Sequence, residues 1–283
     1  MKNKILKTLL AGAAVATMGI ASAQAGSLDA IGGDVKFLFD GFDAAQTGYD
    51  TSTPGFLCET VAECDLASTT PSAPGSNSSN DTWGVTTISA IEPLNAGPFD
   101  PALWTEGEDG DILFTYFHGF EDKKVFVNSP TSTDIYSVGG MVDIYRIDAA
   151  TLAGIDLTDQ ASIEADLAAL TKYLELSFIP GCSSIVAPAA TLCGNFDFDT
   201  LNGVSSGSAV ATDGTAMAKY PEIFEFEQSI EPCGLNVNCN GTSFNLVVRS
   251  GSATTTALPA PGALGLLGLG LVGMGLAGRR RKA

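Results

Sequence analysis

The chain has 283 residues and is strongly acidic, with 32 Asp and Glu against 14 Lys and Arg and a net charge of −18. Half of the basic residues lie at the two ends, which excludes a nucleic-acid-binding domain because neutralising phosphates requires clustered Lys and Arg. A single histidine excludes zinc sites with two or three His ligands, whereas 45% hydrophobic residues are enough for a folded core.

The first 23 residues have the pattern of a secretory signal peptide. Three lysines in the first seven residues form a basic start, an apolar run covers 8–20, and residues 21–23 (Ala-Ser-Ala) are a small-residue cleavage site. The apolar run is shorter than the roughly 20 residues that a membrane-spanning helix needs. We therefore predict export and removal of residues 1–23 by signal peptidase, with cleavage after Ala25 as the alternative.

Nine segments of the exported part, residues 24–249, have the composition of β-strands. They are rich in β-branched and aromatic residues, and clusters of Gly, Pro, Asn, Ser and Asp separate them. In chain order they are 35–39, 83–91, 112–120, 124–127, 136–147, 173–179, 208–212, 223–226 and 243–248. This pattern predicts a mainly β domain with an antiparallel β-sandwich or jelly-roll-like fold.

One short helix is predicted to interrupt the strands. Thr158 or Asp159 can cap its first turn, and apolar residues follow with helical spacing at positions 163, 167, 170 and 174. We expect this helix to cover an edge or an open end of the sheet.

The six cysteines form three pairs that are close in sequence. Six cysteines allow 15 pairings, but an even number in an exported protein indicates disulfides, and proximity favours the local pairs. Each local disulfide closes a short loop and contributes about 2–3 kcal/mol. The absence of Cys-x-x-Cys spacing disfavours a metal site. The predicted pairs are Cys58/Cys64, Cys182/Cys193 and Cys233/Cys239.

The catalytic motifs in the sequence are incomplete. Residues 203–207 (Gly-Val-Ser-Ser-Gly) match Gly-x-Ser-x-Gly, but a nucleophile elbow needs a helix after it and a histidine later in the chain. A strand-like segment follows instead, and His118 lies upstream within an aromatic strand. We interpret the motif as a turn between strands and His118 as a structural residue. The protein is predicted not to be an enzyme.

Acidic residues cluster with glycines at 106–111 and again at 197–199. Glu108, Asp109 and Asp111 are candidate ligands for Ca²⁺, a hard cation that carboxylate and carbonyl oxygens bind. Neither segment has the spacing of an EF-hand loop, and a solvated acidic surface is the alternative interpretation. No other cofactor is predicted.

The C-terminal region contains an uncharged stretch that ends in basic residues. Residues 250–257 are rich in Ser and Thr, which predicts a linker that holds the domain away from a membrane. Residues 262–278 contain only Ala, Leu, Val, Met and Gly, and as a helix they would reach about 25 Å, close to the ~30 Å of bilayer hydrocarbon. We predict a transmembrane helix there, with the body of the protein outside and the basic end inside.

Residues 258–283 resemble a PEP-CTERM sorting signal. The sequence Pro259-Ala260-Pro261 precedes the Leu/Gly-rich span, and Arg279, Arg280 and Arg281 follow it; Ala260 stands where this signal usually has Glu. The resemblance implies a Gram-negative exported protein that a membrane enzyme of the exosortase type processes, usually in association with exopolysaccharide. A sortase signal, Leu-Pro-x-Thr-Gly, is the less favoured alternative, since Pro261 occupies the position of the Thr that sortase attacks.

These features predict an exported, non-enzymatic surface or extracellular-matrix protein. We expect it in the inner membrane before processing and at the cell surface or outside the cell afterwards, associated with exopolysaccharide. The acidic surface would attract Ca²⁺, which could bridge to an acidic polysaccharide. The alternatives are a carbohydrate-binding module, with Trp83, Trp104 and several Tyr as candidate stacking residues, and a secreted hydrolase.

Overall fold

The part of the chain that the structure describes consists mainly of β-strands, as the sequence predicts. The computed structural model describes residues 27–45, 57–58, 82–97, 99–129, 132–182, 189–197, 202–232 and 246–256. The strands in these residues are β1 (Val35–Ala45), β2 (Leu57–Cys58), β3 (Thr82–Pro93), β4 (Trp104–Thr105), β5 (Ile112–Ser129), β6 (Ser132–Ile147), β7 (Lys172–Ile179), β8 (Leu192–Asp197), β9 (Asn202–Asp213), β10 (Ile223–Pro232) and β11 (Leu246–Thr256). Two helices, α1 (Ala149–Gly154) and α2 (Gln160–Leu167), and three 3-10 turns, at Leu28–Ala30, Glu108–Gly110 and Met217–Lys219, complete the elements.

Eight of these strands close into an antiparallel barrel. Their order is β5-β3-β1-β11-β10-β9-β7-β6, and β6 pairs with β5 to complete the ring. Strands β7 and β8 both pair with the same side of β6, one after the other along its length. Residues Ser132–Ser137 of β6 pair with β8, and residues Met141–Tyr145 pair with β7. The barrel wall therefore has β7 and β8 end to end in one place.

The predicted sandwich or jelly-roll-like fold is wrong. A sandwich needs two separate sheets, each with its own edges. Here β1 pairs with both β3 and β11, and β5 pairs with both β3 and β6, so one sheet closes on itself. Closure pairs the backbone groups that the edge strands of a sandwich would leave exposed.

The interior of the barrel is filled by aromatic and branched side chains. Alternate residues of each strand point inward, as the two-residue period of a strand requires. One end of the barrel, which we call the closed end, is covered by the segment that precedes β1 and by the turn before β10. There Tyr220 donates a hydrogen bond of 3.5 Å to the carbonyl of Ile31, and Leu28 and Trp104 are completely buried.

A second apolar core lies outside the barrel, beneath the two helices. Ile163 and Leu167 of α2 are buried against Phe114 of β5 and Tyr145 of β6. Helix α2 begins after Asp159, whose carboxylate accepts a hydrogen bond of 2.9 Å from the backbone N–H of Ser162, the cap that the sequence predicts. It is shorter than predicted, because it ends at Leu167, and it covers the barrel wall rather than an edge or an open end.

The predicted features at the two ends of the chain lie mostly outside the described residues. These include the signal peptide, the sorting signal with Pro259, Ala260, Pro261, Arg279, Arg280 and Arg281, and the predicted helix at 262–278. Within the described part of the chain, no helix has the length and apolar character needed to cross a membrane. The predicted linker differs from the structure, because residues 250–256 belong to β11.

One of the three local cysteine pairs is present as a disulfide. Cys182, just after β7, is bonded to Cys193 in β8, with the two Cα atoms 5.7 Å apart. Cys58 lies in β2, whereas Cys64, Cys233 and Cys239 lie outside the described residues. The Cys182–Cys193 disulfide therefore fastens the two strands that share one position in the barrel wall.

Candidate functional site

A broad groove crosses the outside of the barrel wall. Its volume is about 730 Å³, within the range of ligand-binding sites. It runs across β1, β11, β10, β9, β8 and β6, and most of its lining side chains point away from the interior, whereas Ser205 and Gln228 also line the interior. We define the groove by the outward-facing residues Lys36, Leu38, Asp134, Tyr136, Cys193, Asn195, Val204, Ser206, Glu227, Ser229, Ser250 and Ser252.

Two irregularities in strand pairing lie beneath the groove. The register of β1 against β11 shifts between Phe39 and Gly41, and the register of β10 against β11 shifts between Ser229 and Ile230. A bulge of this kind bends its strand and increases the local twist. Bulges of this kind at these two positions are expected to curve the wall beneath the groove.

The floor of the groove consists of hydroxyl groups. Ser206, Ser229, Ser250 and Ser252 come from three neighbouring strands, β9, β10 and β11. The Oγ atoms of Ser229 and Ser250 lie 2.9 Å apart and share a hydrogen bond in which either can donate. A serine hydroxyl can donate or accept, and its short side chain loses little conformational entropy when a ligand fixes it. This floor is therefore suited to a ligand that carries many hydroxyl groups.

One end of the groove adds a tyrosine ring beside a carboxylate and an amide. The side-chain amide of Asn195 donates a hydrogen bond of 2.6 Å to Asp134 across the β6–β8 pair. Burial raises the pKa of Tyr136, and the charge of Asp134 raises it further. A tyrosine offers a ligand both an apolar ring face and a polar hydroxyl. The Cys182–Cys193 disulfide borders this end and holds β8 in place.

The groove carries little net charge for so acidic a chain. Its ionisable side chains are Lys36, Asp134, Glu227 and Tyr136. A lysine thus offsets one of the two carboxylates, whereas the whole chain has a charge of −18. Electrostatic attraction is consequently a minor contribution for any ligand of the groove, and hydrogen bonding and stacking are the main ones.

The Gly-x-Ser-x-Gly motif lies in the middle of a strand and not in a turn. Residues 203–207 belong to β9. The motif is therefore not a nucleophile elbow, and the predicted turn between strands is wrong. A Cβ atom at Gly207 would lie 2.5 Å from the carbonyl oxygen of Thr191, and one at Gly203 would lie 2.7 Å from Ile230. The two glycines are needed for close packing of neighbouring strands. Ser205 points into the barrel and is treated below.

His118 lies on the outer wall near α2, away from the groove. Its ring stacks on Tyr116 with centroids 4.6 Å apart, and its Nε2 atom is 3.5 Å from Asp143. Lys172 lies 2.9 Å from the same carboxylate. Burial would raise the pKa of Asp143, but the interactions with the nearby His118 and Lys172 side chains outweigh it and hold this pKa below its ordinary value. These contacts link β5, β6 and β7, which is the arrangement of a structural histidine.

The three candidate Ca²⁺ ligands have different partners in the structure. Glu108 accepts a hydrogen bond of 3.2 Å from the backbone N–H of Thr105, and Asp111 lies 2.5 Å from Arg146 in an ion pair. Asp109 is exposed in a left-handed conformation, with φ of 57°. Among the described residues, no group of three or more His, Cys, Asp or Glu side chains is arranged to hold a metal ion.

Glu106, beside this turn, is a half-buried carboxyl group. Burial raises its pKa to about 7, and the negative charge of Asp40 contributes to the increase. Its backbone N–H donates a hydrogen bond of 3.0 Å to the carbonyl of Ser89, which fixes its position beside β3.

The two tryptophans that the sequence suggests for sugar stacking are both in the core. Trp104 is completely buried, and Trp83 is 9% exposed. Neither ring therefore presents a face to a ligand at the surface. The sequence offered several tyrosines for stacking but did not single out Tyr136 or the serines, because an outward-facing position in a closed barrel depends on strand register rather than on residue type.

Comparison of the chain with known protein families, with curated proteins and with solved structures finds no match. The functional argument therefore rests on the residues of this chain.

Proposed function

We propose that the protein is an exported, non-enzymatic surface or extracellular-matrix protein that binds a neutral polysaccharide along its groove. The observation that carries this proposal is the lining of the groove. Four serine hydroxyls, the Asn195–Asp134 pair and the Tyr136 ring all line this one groove, whose volume is about 730 Å³. A sugar polymer has the matching chemistry, with hydroxyls for hydrogen bonds and apolar ring faces for stacking.

The charge of the groove favours a neutral polymer over an acidic one. A polyanion would meet two carboxylates and one lysine in the groove, together with the negative charge of the rest of the chain. Repulsion of this kind opposes association over a Debye length, about 8–10 Å at ordinary salt concentrations. An acidic polysaccharide would instead bind through Ca²⁺ ions that the acidic surface attracts and that bridge the two negative charges.

The cellular context of the proposal comes from the two ends of the sequence. Signal peptidase would remove the N-terminal peptide, and an exosortase-type enzyme in the inner membrane would recognise the C-terminal signal. The described chain begins and ends near the closed end of the barrel, since Thr255, near the end of β11, contacts Gly33 and Val35, where the segment before β1 joins that strand. A tail that leaves from this end keeps the groove, on the side of the barrel, accessible to polymer.

Titration of the oxidised full-length protein, in mild detergent, with neutral and acidic polysaccharides tests the binding function. Tyr136→Ala should weaken binding about three- to tenfold through loss of the ring face. The double variant Ser229→Leu and Ser250→Leu should abolish it by filling the floor. Thr215→Leu, an exposed hydroxyl outside the groove, is the matched control. Equal binding by all variants, or no binding of any neutral polysaccharide, would refute the proposal.

The intact mass of the protein recovered from membrane, surface and medium fractions tests the sorting. A product that ends near residues 259–262 outside the inner membrane is expected. A product that keeps Arg279, Arg280 and Arg281 in the membrane would remove the support for exosortase processing and for its exopolysaccharide context.

A further inference from the structure

An apolar cavity lies inside the barrel, on the other face of the wall that carries the groove. We call it the inner cavity; its volume is about 50 Å³. Phenylalanine rings from four strands surround it, and its other apolar lining residues are Ile88, Val142, Ile144, Leu176, Leu192 and Ala253. The rings that line it are Phe37, Phe39, Phe117, Phe120, Phe178, Phe224 and Phe226.

The inner cavity is larger than an ordinary packing void. Protein interiors have few voids larger than a water molecule, and a cavity needs roughly 10–15 Å³ to hold one water-sized group. A volume of about 50 Å³ therefore has room for roughly three or four groups of the size of a methylene. An eight-stranded barrel is the size at which the interior is either filled by side chains or holds one small ligand.

Among the described residues that line the inner cavity, one buried polar atom has no hydrogen-bond partner. The Oγ of Ser205 is buried and makes no hydrogen bond. The other buried hydroxyls of the lining are satisfied, because Thr86 and Thr115 bond to each other at 3.0 Å. An unpaired buried hydroxyl is costly. Thr82 and Gln228, the other polar residues of the described lining besides the Thr86–Thr115 pair, are only partly buried. Ser205 is therefore placed to meet a polar atom of a mostly apolar ligand.

The lining also limits the charge of that ligand. The described residues of the lining include no Lys, Arg, His, Asp or Glu, so a carboxylate or an ammonium group would enter without a counter-charge from them. Moving an isolated charge into such a site is strongly unfavourable. A neutral hydroxyl or carbonyl group brings no charge that needs compensation, and it can form the hydrogen bond that Ser205 lacks.

We propose that the inner cavity binds the end of a small uncharged molecule, a hydrocarbon of about four carbons with one hydroxyl or carbonyl group that hydrogen-bonds to Ser205. The inner cavity and the groove lie on opposite faces of the same wall and share Ser205 and Gln228 in their linings, whereas Ser206 lines the groove alone. A polysaccharide is too large and too polar for the interior, so the two sites take different ligands.

Methyl NMR of the oxidised full-length protein, titrated with 1-butanol and separately with xenon, tests the proposal. Both probes should shift the methyl signals of Ile144 and Leu176, and each should displace the other. Ser205→Ala should weaken 1-butanol binding about three- to tenfold, the effect of one hydrogen bond, and leave xenon binding unchanged. Ser208→Ala is the control, because Ser208 is on the same strand but faces outward and lines neither site.

Ala253→Leu provides a second variant, because the larger side chain fills the inner cavity. It should abolish the shifts caused by both probes. If this variant does not fold, competition between xenon and 1-butanol in the wild-type protein gives the same information. The proposal is overturned if 1-butanol leaves the two methyl signals unchanged, if the two probes do not compete, or if Ser205→Ala binds 1-butanol as tightly as wild type.

Discussion

The hydroxyl of Thr255 accepts a hydrogen bond of 2.6 Å from the backbone N–H of Val35, which lies 220 residues earlier in the chain. Thr255 is completely buried, and its hydroxyl proton can be donated to the carbonyl of Gly33 or of Val35, at 2.9 and 3.0 Å. This contact fastens the last strand to the start of the first, where the barrel closes. One side chain therefore satisfies backbone groups that the β1–β11 ladder leaves unpaired.

Replacement of this hydroxyl should destabilise the barrel. In Thr255→Val the side chain keeps its shape, but the buried N–H of Val35 loses its acceptor. We expect the free energy of unfolding to fall by about 1–3 kcal/mol, the cost of an unsatisfied buried donor. Urea unfolding followed by tryptophan fluorescence measures this change.

The matched control is Thr254→Val, one residue earlier on the outward side of β11. It changes the same atoms at a half-buried position, and we expect a change within about 0.5 kcal/mol. Equal effects at the two positions would mean that the contact between Thr255 and Val35 has no special role.

The Cys182–Cys193 disulfide should contribute measurably to stability. The two cysteines are 11 positions apart, so the bond closes a short loop. The double variant Cys182→Ser and Cys193→Ser should lose about 2–3 kcal/mol of unfolding free energy. Chemical denaturation under non-reducing conditions gives the value, and a loss below about 0.5 kcal/mol would show that the strand pairing alone holds β8.

Gly251 should not tolerate a side chain. A Cβ atom at this position would lie 2.0 Å from the ring of Phe39, which is packed against the backbone of β11. We expect Gly251→Ala to cost about 1–3 kcal/mol through displacement of that ring. The melting temperature measures the effect.

Gly154→Ala is the control for this substitution. Gly154 is the last residue of α1, and a Cβ atom there would have no neighbour within 4 Å. It should raise stability slightly, by up to about 1 kcal/mol, because alanine has fewer unfolded conformations to lose. A loss at Gly154 as large as that at Gly251 would contradict the packing argument.

Glu106 should make stability depend on pH near neutrality. Its pKa rises from an ordinary 4.5 to about 7 in the folded chain, first through burial and then through the charge of Asp40. Between these values the folded chain holds a proton that the unfolded chain has lost, so the free energy of unfolding decreases as pH rises through this window. Glu106→Gln should therefore be more stable than wild type at pH 8, with a smaller difference at pH 5.

The carboxyl carbon signal of Glu106, followed by NMR titration, measures this pKa directly. Asp40→Asn should lower the midpoint, because it removes the neighbouring negative charge. A wild-type midpoint below pH 5 would contradict the burial of Glu106.

The sequence predicted the central strands but not the closure of the barrel. The predicted strand 83–91 lies within β3, and 173–179 lies within β7, because both are rich in β-branched and aromatic residues. The segment 250–256 instead consists of Ser, Gly, Ala and Thr, a composition typical of a linker. Its place in β11 depends on the Phe39 ring and on the partners of Thr255, which are distant in sequence and invisible to local patterns.

The candidate site was less predictable than the fold. Strand β8 contains Gly194, Asn195 and Asp197, residues that favour turns, so the strand that carries Asn195 was not predicted. The serines of the groove come from β9, β10 and β11, which are consecutive neighbours in the barrel, but which of their serines face outward depends on strand register. Large aromatic residues were the only feature of the sequence that suggested sugar binding. Both tryptophans are buried in the two cores and cannot stack on a sugar at the surface.

Backbone NMR mapping of a neutral oligosaccharide on the oxidised protein tests the central claim most directly. We expect chemical-shift changes confined to the groove, at Tyr136, Asn195 and the serines of β9, β10 and β11. The signals of α1 and α2 should stay unchanged. Shifts centred on the helices, or no shifts with any neutral oligosaccharide, would contradict the assignment of the groove as the binding site.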